Sequence, residues 1–229
     1  MEGFIVKKIV VLILAITIPI FVLLTCTELI VKWDDFFYKQ YNANSVEEAT
    51  TMEIDDLMKV TDEIQDYLLG DREDFLITGV IDGQSQLVFN EREIIHMEDV
   101  KDLFNGGIMI RNISFLLILI SSIYLWNKDK KALYRSMIYS AIGYFTLGVI
   151  LGILLLSNFN KYFVIFHEIF FRNDFWMLDP SNSVLINMVN INFFMNIAAL
   201  ILGSSLLIVI LIGIFGKIIL HKKGNSYER

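Results

Sequence analysis

This chain of 229 residues holds a single cysteine, Cys26. An intramolecular disulfide is therefore excluded. So are four-helix membrane proteins whose outer loops rely on cysteine pairs. Common catalytic signatures are missing as well: there is no glycine-rich phosphate loop, no G-x-S-x-G and no H-E-x-x-H, since no histidine follows His167-Glu168 at the required spacing. Histidine is scarce, with three in all: His96, His167 and His221. They form no short-range ligand pair, so no metal is expected. Ionisable residues are rare deep within the apolar stretches, which argues against the ion pathway of a transporter.

What the chain has in abundance is hydrophobic sequence, 55% of its residues. A hydrocarbon core of ~30 Å needs about 20 apolar residues per helix. Four stretches qualify, at about 9–30, 108–126, 137–156 and 193–220. The expected fold is mainly α, one integral membrane domain over residues 1–229: four transmembrane helices with a small extracellular α+β cap at about 31–107. Gly143, Gly148, Gly152, Gly203, Gly213 and Gly216 fall inside spans, where small residues permit close helix contact. Lys7 and Lys8, the cluster Lys128, Lys130, Lys131 and Arg135, and Lys217, Lys222, Lys223 and Arg229 all fall on one side, which is assigned as cytoplasmic. Both termini are then inside. The segments at about 31–107 and 157–192 face outward. An outward-facing domain without disulfides fits a Gram-positive bacterial surface better than an animal one. The first apolar run resembles a signal sequence, and Leu23-Leu24-Thr25-Cys26 a poor lipobox. Its length favours retention as a membrane helix.

The two outward segments differ. The first is acidic, in a chain of net charge −7, and repels nucleic acid. Ile54, Leu57, Met58, Ile64 and Leu68 recur at helical spacing, with Thr50 or Thr51 as start and Gly70 as stop. Phe75–Ile77 and Gln86–Phe89 read as short strands around Asp82-Gly83. A second helix is expected over about Met97–Phe104, with Glu98 and Asp99 in its first turn and His96 at its entrance. The second segment is aromatic. Phe163, Phe166, His167, Phe170 and Phe171 share one helical stripe, suited to a lipid headgroup boundary or a greasy cleft. Asp179-Pro180 reads as the start of a short interfacial helix over about Pro180–Val189. His96 and His167 thus flank spans on the same outer face, and His221 lies on the other. Two imidazoles at one water–lipid boundary point to acid–base chemistry on a substrate that is itself in the membrane. Arg111, at the outer end of the second span, is expected to face substrate or an acidic cap residue.

The stretch FNEREIIHMEDVKDLF at 89–104 followed by Arg111, and the stretch FHEIFFRNDFWMLDP at 166–180, resemble the bacterial lipoprotein intramolecular transacylases, Lit. The resemblance spans the four-helix layout and its cap. The chain departs from it after LINM, where Val189-Asn190-Ile191-Asn192 stands in place of a proline-containing stretch. The resemblance implies an enzyme of the bacterial cell membrane that acts on diacylated lipoproteins. It moves the sn-2 acyl chain of the diacylglyceryl group to the α-amine of the N-terminal cysteine, leaving a lyso-form lipoprotein. It implies His96 and His167 as catalytic. The same two blocks offer Met97, Asp99, Phe166, Phe170, Phe171, Asn173, Asp174 and Trp176 as substrate-binding residues beside Arg111. No cofactor is implied, because the acyl ester already carries the energy of amide formation. Nucleophile and electrophile both sit on the substrate, so the protein supplies proximity and proton handling rather than its own nucleophile. Asp99, Asp174 and Glu168 are candidates to orient an imidazole. The rival reading is a non-enzymatic membrane sensor or chaperone that binds lipidated clients. It needs an aromatic cleft but not the histidines.

Overall fold

The computed structural model describes residues 2–225, so Arg229, counted above among the inside charges, lies outside the described residues. In chain order the elements are α1 (Glu2–Val31), α2 (Asp34–Ala43), α3 (Val46–Thr50), α4 (Ile54–Leu69), β1 (Thr78–Ile81), β2 (Gln84–Leu87), α5 (Glu91–Lys128), α6 (Lys130–Ser157), α7 (Phe159–Phe170), α8 (Val184–Met188) and α9 (Ile191–Asn225). They divide into two compact units. One takes residues up to Thr27, Ile108–Leu156 and those from Leu200 onward; the other takes Glu28–Gly107 and Ser157–Ala199.

The first unit is a bundle of α1, α6 and the apolar parts of α5 and α9. These are four helices long and apolar enough to cross a membrane. In lipid every backbone polar group must be satisfied within the chain, and a helix does this locally. Glycine sets the approach of α9 to α6. A β-carbon on Gly213 would lie 2.4 Å from Ala141 Cβ, and one on Gly216 would lie 2.7 Å from the Tyr134 carbonyl oxygen. A Tyr144–Ser205 hydroxyl pair at 2.7 Å joins the same two helices. At one end Lys7 Nζ meets Asp129 at 2.9 Å. Gly213→Leu is expected to force these helices apart at about 1–3 kcal/mol. The thermal midpoint in detergent should fall by several degrees, at ~2–4 °C per kcal/mol for a chain of this size. Gly143→Leu, where a β-carbon meets nothing within 4 Å, should leave it unchanged.

The second unit carries its own core, including Tyr41, Met52, Leu57, Val60, Ile77, Val88 and Phe89, all nearly inaccessible. The Tyr41 hydroxyl reaches Thr61 at 2.7 Å inside it. Gly70 ends α4 with φ +94, where a side chain would be strained. Asp82 and Gly83, with φ 52 and 77, turn the antiparallel hairpin in which Ile81 faces Gln84.

Several expectations are corrected here. The strands are β1 and β2, inside the expected ones: Phe75, Ile77, Val88 and Phe89 are apolar because they are buried, and the paired ribbon between them is largely exposed. Helices α2 and α3 were not anticipated. Neither Thr50 nor Thr51 caps α4, which starts after Glu53. No separate helix begins at Met97. Instead α5 starts at Glu91 and runs unbroken for 38 residues, so His96 lies in its second turn. The cause is a reciprocal capping box: Glu93 N–H donates to Asn90 Oδ1 at 3.1 Å, and Asn90 N–H donates to Glu93 Oε2 at 2.7 Å. Asp179 does not start a helix either. Its Oδ1 accepts from Ser181 N–H at 2.9 Å in a turn, and α8 begins only after Ser183, whose hydroxyl accepts from Ile186 N–H.

Candidate active site

The second unit brings His96, from α5, to His167, from α7. Their ring centroids are 6.1 Å apart, and the residues are 8% and 6% exposed. His167 Nδ1 lies 2.7 Å from the Phe163 carbonyl oxygen. A carbonyl only accepts, so Nδ1 carries the proton and the neutral ring keeps its lone pair on Nε2. His96 Nδ1 is inaccessible and has no hydrogen-bond partner among the described residues. Burial, reinforced by the neighbouring His167, pushes the His96 pKa down to about 4, with Asp99 pulling the other way. Burial also lowers His167, against the opposing bond to Phe163. Both rings are therefore neutral at physiological pH.

Aromatic side chains enclose the pair. Around His167 the ring centroids lie at 4.2 Å for Phe163, 4.8 Å for Trp176, 5.4 Å for Phe166 and 5.5 Å for Phe171. Phe171 also meets His96 edge-on at 5.4 Å. It does so from outside the expected helical stripe, because α7 ends at Phe170 and Phe171 is extended, with φ −116 and ψ 135. Phe166 and Phe170 meet at 4.7 Å with their rings tilted by 44°, and both stay exposed.

The strand of chain that follows is strapped to α5. Asn173 Nδ2 donates to Asp99 Oδ2 at 2.8 Å, and the Trp176 indole N–H donates to the Asn173 carbonyl at 3.0 Å. Arg92 bonds the Asp174 carbonyl and lies 3.5 Å from its carboxylate. Met97 is buried beside His96 in the helix, and Glu168 is exposed. Arg111 belongs to the other unit, where its guanidinium donates to Asn112 Oδ1 at 3.2 and 3.0 Å.

One residue of consequence went unread in the sequence. Glu93 is 1% exposed. Its Oε1 accepts from the Ser183 hydroxyl at 2.6 Å and from Leu185 N–H at 2.7 Å, while Oε2 closes the box with Asn90. Asn90 Nδ2 adds a bond to the Asn182 carbonyl at 3.1 Å. A single carboxylate, one turn before His96, thus caps α5 and anchors the start of α8. The pattern Asn90-x-x-Glu93 was the available signal.

Four helices long and apolar enough to cross a membrane define an integral membrane protein, and within its second unit aromatic rings enclose two imidazoles. A model of the lipoprotein intramolecular transacylase family, Lit, matches residues 12–194. The chain belongs to that family and is an acyltransferase. Its fold is similar to that of the membrane-integral lipoprotein intramolecular transacylase Lit from Bacillus cereus, with a TM-score of 0.81 at 23% identity over 95% of this chain and 97% of that one. Two structures of that Bacillus protein with a histidine replaced are also similar. The arginine variant gives 0.77 at 24% identity over 98% and 96% of the two chains, and the alanine variant 0.76 at 24% over 97% and 96%. No individually curated protein matches.

Proposed function

We propose that this transacylase moves the sn-2 acyl chain of a diacylglyceryl-modified lipoprotein from the glycerol oxygen to the α-amine of the lipoprotein's own N-terminal cysteine. The observation that carries the reading is the neutral, enclosed pair His96–His167. An α-ammonium with a pKa of about 8 must lose a proton before it attacks an ester. The free Nε2 lone pair of His167 is the base. The amine then attacks the ester carbonyl, and a neutral His96 N–H donates to the oxyanion. As the nitrogen–carbonyl bond forms, the carbonyl–oxygen bond breaks. Two protons leave the nitrogen: His167 takes the first from the ammonium and passes it to the departing glycerol oxygen, and the second, shed as the amide forms, is released to solvent, which leaves the lyso-form product. Asp99 is suited to receive the ammonium, since its carboxylate is close enough to His96 to raise its pKa. Met97, Phe166, Phe170, Phe171, Asn173, Asp174 and Trp176 shape the acyl and peptide path, and Arg111 is the further substrate-binding residue that the sequence resemblance offers.

The deciding assay is mass spectrometry of a synthetic diacylglyceryl lipopeptide incubated with the protein. The acyl count must stay constant while one chain moves to nitrogen. A chaperone or sensor would bind the peptide and leave its acyl chains in place, and that result would sink the proposal. Chelators should not change the rate. The pH profile has a definite sign. Both imidazoles work neutral and both pKa values are depressed, so the acid limb of kcat/KM should lie below the ordinary histidine value of about 6.5. A limb centred at 6.5 or above would contradict the assigned burial of the base.

The proposed placement is a multi-pass protein of the bacterial cell membrane with both termini cytoplasmic and the cap outside, supported by the distribution of Lys and Arg. In a Cys26→Ser background, cysteines placed at Asp66 and Asn182 should react with an impermeant reagent in intact cells. One at Lys131 should not, and its labelling would invert the topology.

A further inference from the structure

A histidine that takes a proton from an amine also takes one from water. Activated water attacking the same ester would give a free fatty acid and a lyso-lipoprotein with no N-acyl group. Among the described residues the rings against the pair are aromatic and not nucleophilic: Cys26 lies in the other unit, and the Ser183 hydroxyl is committed to Glu93. Discrimination between amine and water must therefore come from what the enclosure admits. Excluding water from a site suppresses such side reactions.

Two rings stand where that exclusion is decided. Phe171, 7% exposed, packs against both imidazoles, at 5.4 Å from His96 and 5.5 Å from His167, and His96 Nδ1 is inaccessible. Trp176 is tilted 31° to the His167 ring at 4.8 Å and is itself only half-buried, so it stands between that imidazole and bulk water. Its orientation is held through Asn173, which is tied in turn to Asp99. Phe163 and Phe166 belong to the same helix as His167 and lie against its ring at 4.2 and 5.4 Å. Phe171 and Trp176 lie beyond that helix, on the strapped segment.

We propose that Phe171 and Trp176 are specificity-determining residues that keep this catalyst aminolytic by shielding the histidine pair from water. The inference rests on the transfer reaction proposed above. Opening the shield converts part of the turnover to hydrolysis: water adds its oxygen to the acyl carbonyl, the ester carbon–oxygen bond breaks, and the glycerol oxygen receives the proton that the histidine took from water.

The test uses the full chain in detergent or nanodiscs and a diacylglyceryl lipopeptide in ¹⁸O-labelled water, with N-acyl product and labelled fatty acid both measured by mass spectrometry. A second substrate has its α-amine acetylated, so that only hydrolysis is readable. Wild type should give N-acyl product from the first and nothing from the second. Trp176→Ala and Phe171→Ala should raise the ratio of labelled acid to N-acyl product at least about tenfold and should release acid from the blocked substrate. Trp176→Leu and Phe171→Leu keep the core filled if alanine unfolds the strap, and should raise the ratio about threefold. Met177→Ala, on the same segment with an exposed side chain, should match wild type. Variants that keep the wild-type ratio, or lose transfer with no labelled acid from either substrate, would overturn the shield. Absence of N-acyl product from wild type would instead overturn the transfer reaction itself.

Discussion

His167→Ala is expected to reduce acyl transfer by ~10²–10⁴-fold, the span usual for loss of a positioned general base. His96→Ala should fall in the same range, and the double variant should lose little more, because the two rings act on one transition state. The geometry adds an asymmetry. His167 has its Nδ1 proton committed to the Phe163 carbonyl and offers a lone pair, a capacity that an amide side chain lacks. His96 is assigned as a neutral N–H donor, which an amide can imitate. His96→Asn should therefore retain measurable transfer, and His167→Asn should not. His221→Ala, in the tail of α9, should leave the rate unchanged. Thermal unfolding of each variant separates lost chemistry from lost fold. Wild-type rates for both alanine variants would remove the mechanism.

The second large effect is expected at Glu93. Alanine there leaves three donors facing a gap: Asn90 N–H, the Ser183 hydroxyl and Leu185 N–H. A buried donor without a partner costs about 1–3 kcal/mol, so Glu93→Ala should destabilise the cap unit by several kcal/mol and abolish transfer with it. Glu93→Gln keeps one oxygen for Ser183 and Leu185 but turns an amide nitrogen toward Asn90 N–H. It should recover part of both stability and rate. Ser183→Ala removes two bonds, its own to Glu93 and the cap on Ile186 N–H, and should cost about 1–3 kcal/mol. Thermal melts followed by the lipopeptide assay order the series. A Glu93→Ala protein that melts like wild type would contradict the carboxylate's assigned role.

The four apolar helices were legible because lipid permits few other solutions, and their composition shows directly in the run lengths. Gly70 and Asp82-Gly83 were legible because positive φ has a narrow residue signature. The continuity of α5 was hidden by composition: the first turns are charged, the later ones apolar, and Gly106-Gly107 sits between them. Hydrophobic periodicity read these as two elements, whereas the Asn90/Glu93 box announced one start. Phe171 illustrates a different limit. It fits a helical spacing of eight from Phe163, yet it reaches the histidines from extended backbone. Spacing along a sequence does not reveal which residue has already left the helix. The long-range bonds of Glu93 to Ser183 and Leu185 have no local signature at all, since their partners lie 90 and 92 residues away.

That separation bears on how the protein is made. While a ribosome has delivered only the first half of the chain, α5 already has its cap from Asn90, but the other oxygen of Glu93 waits for a partner not yet synthesised. His96 spends this interval on a helix with no second imidazole beside it and no aromatic cover. Only when Ser183 and Leu185 have been made can that carboxylate complete its bonds and anchor the start of α8. Acyl transfer is therefore expected only from chains that extend past both His167 and Leu185.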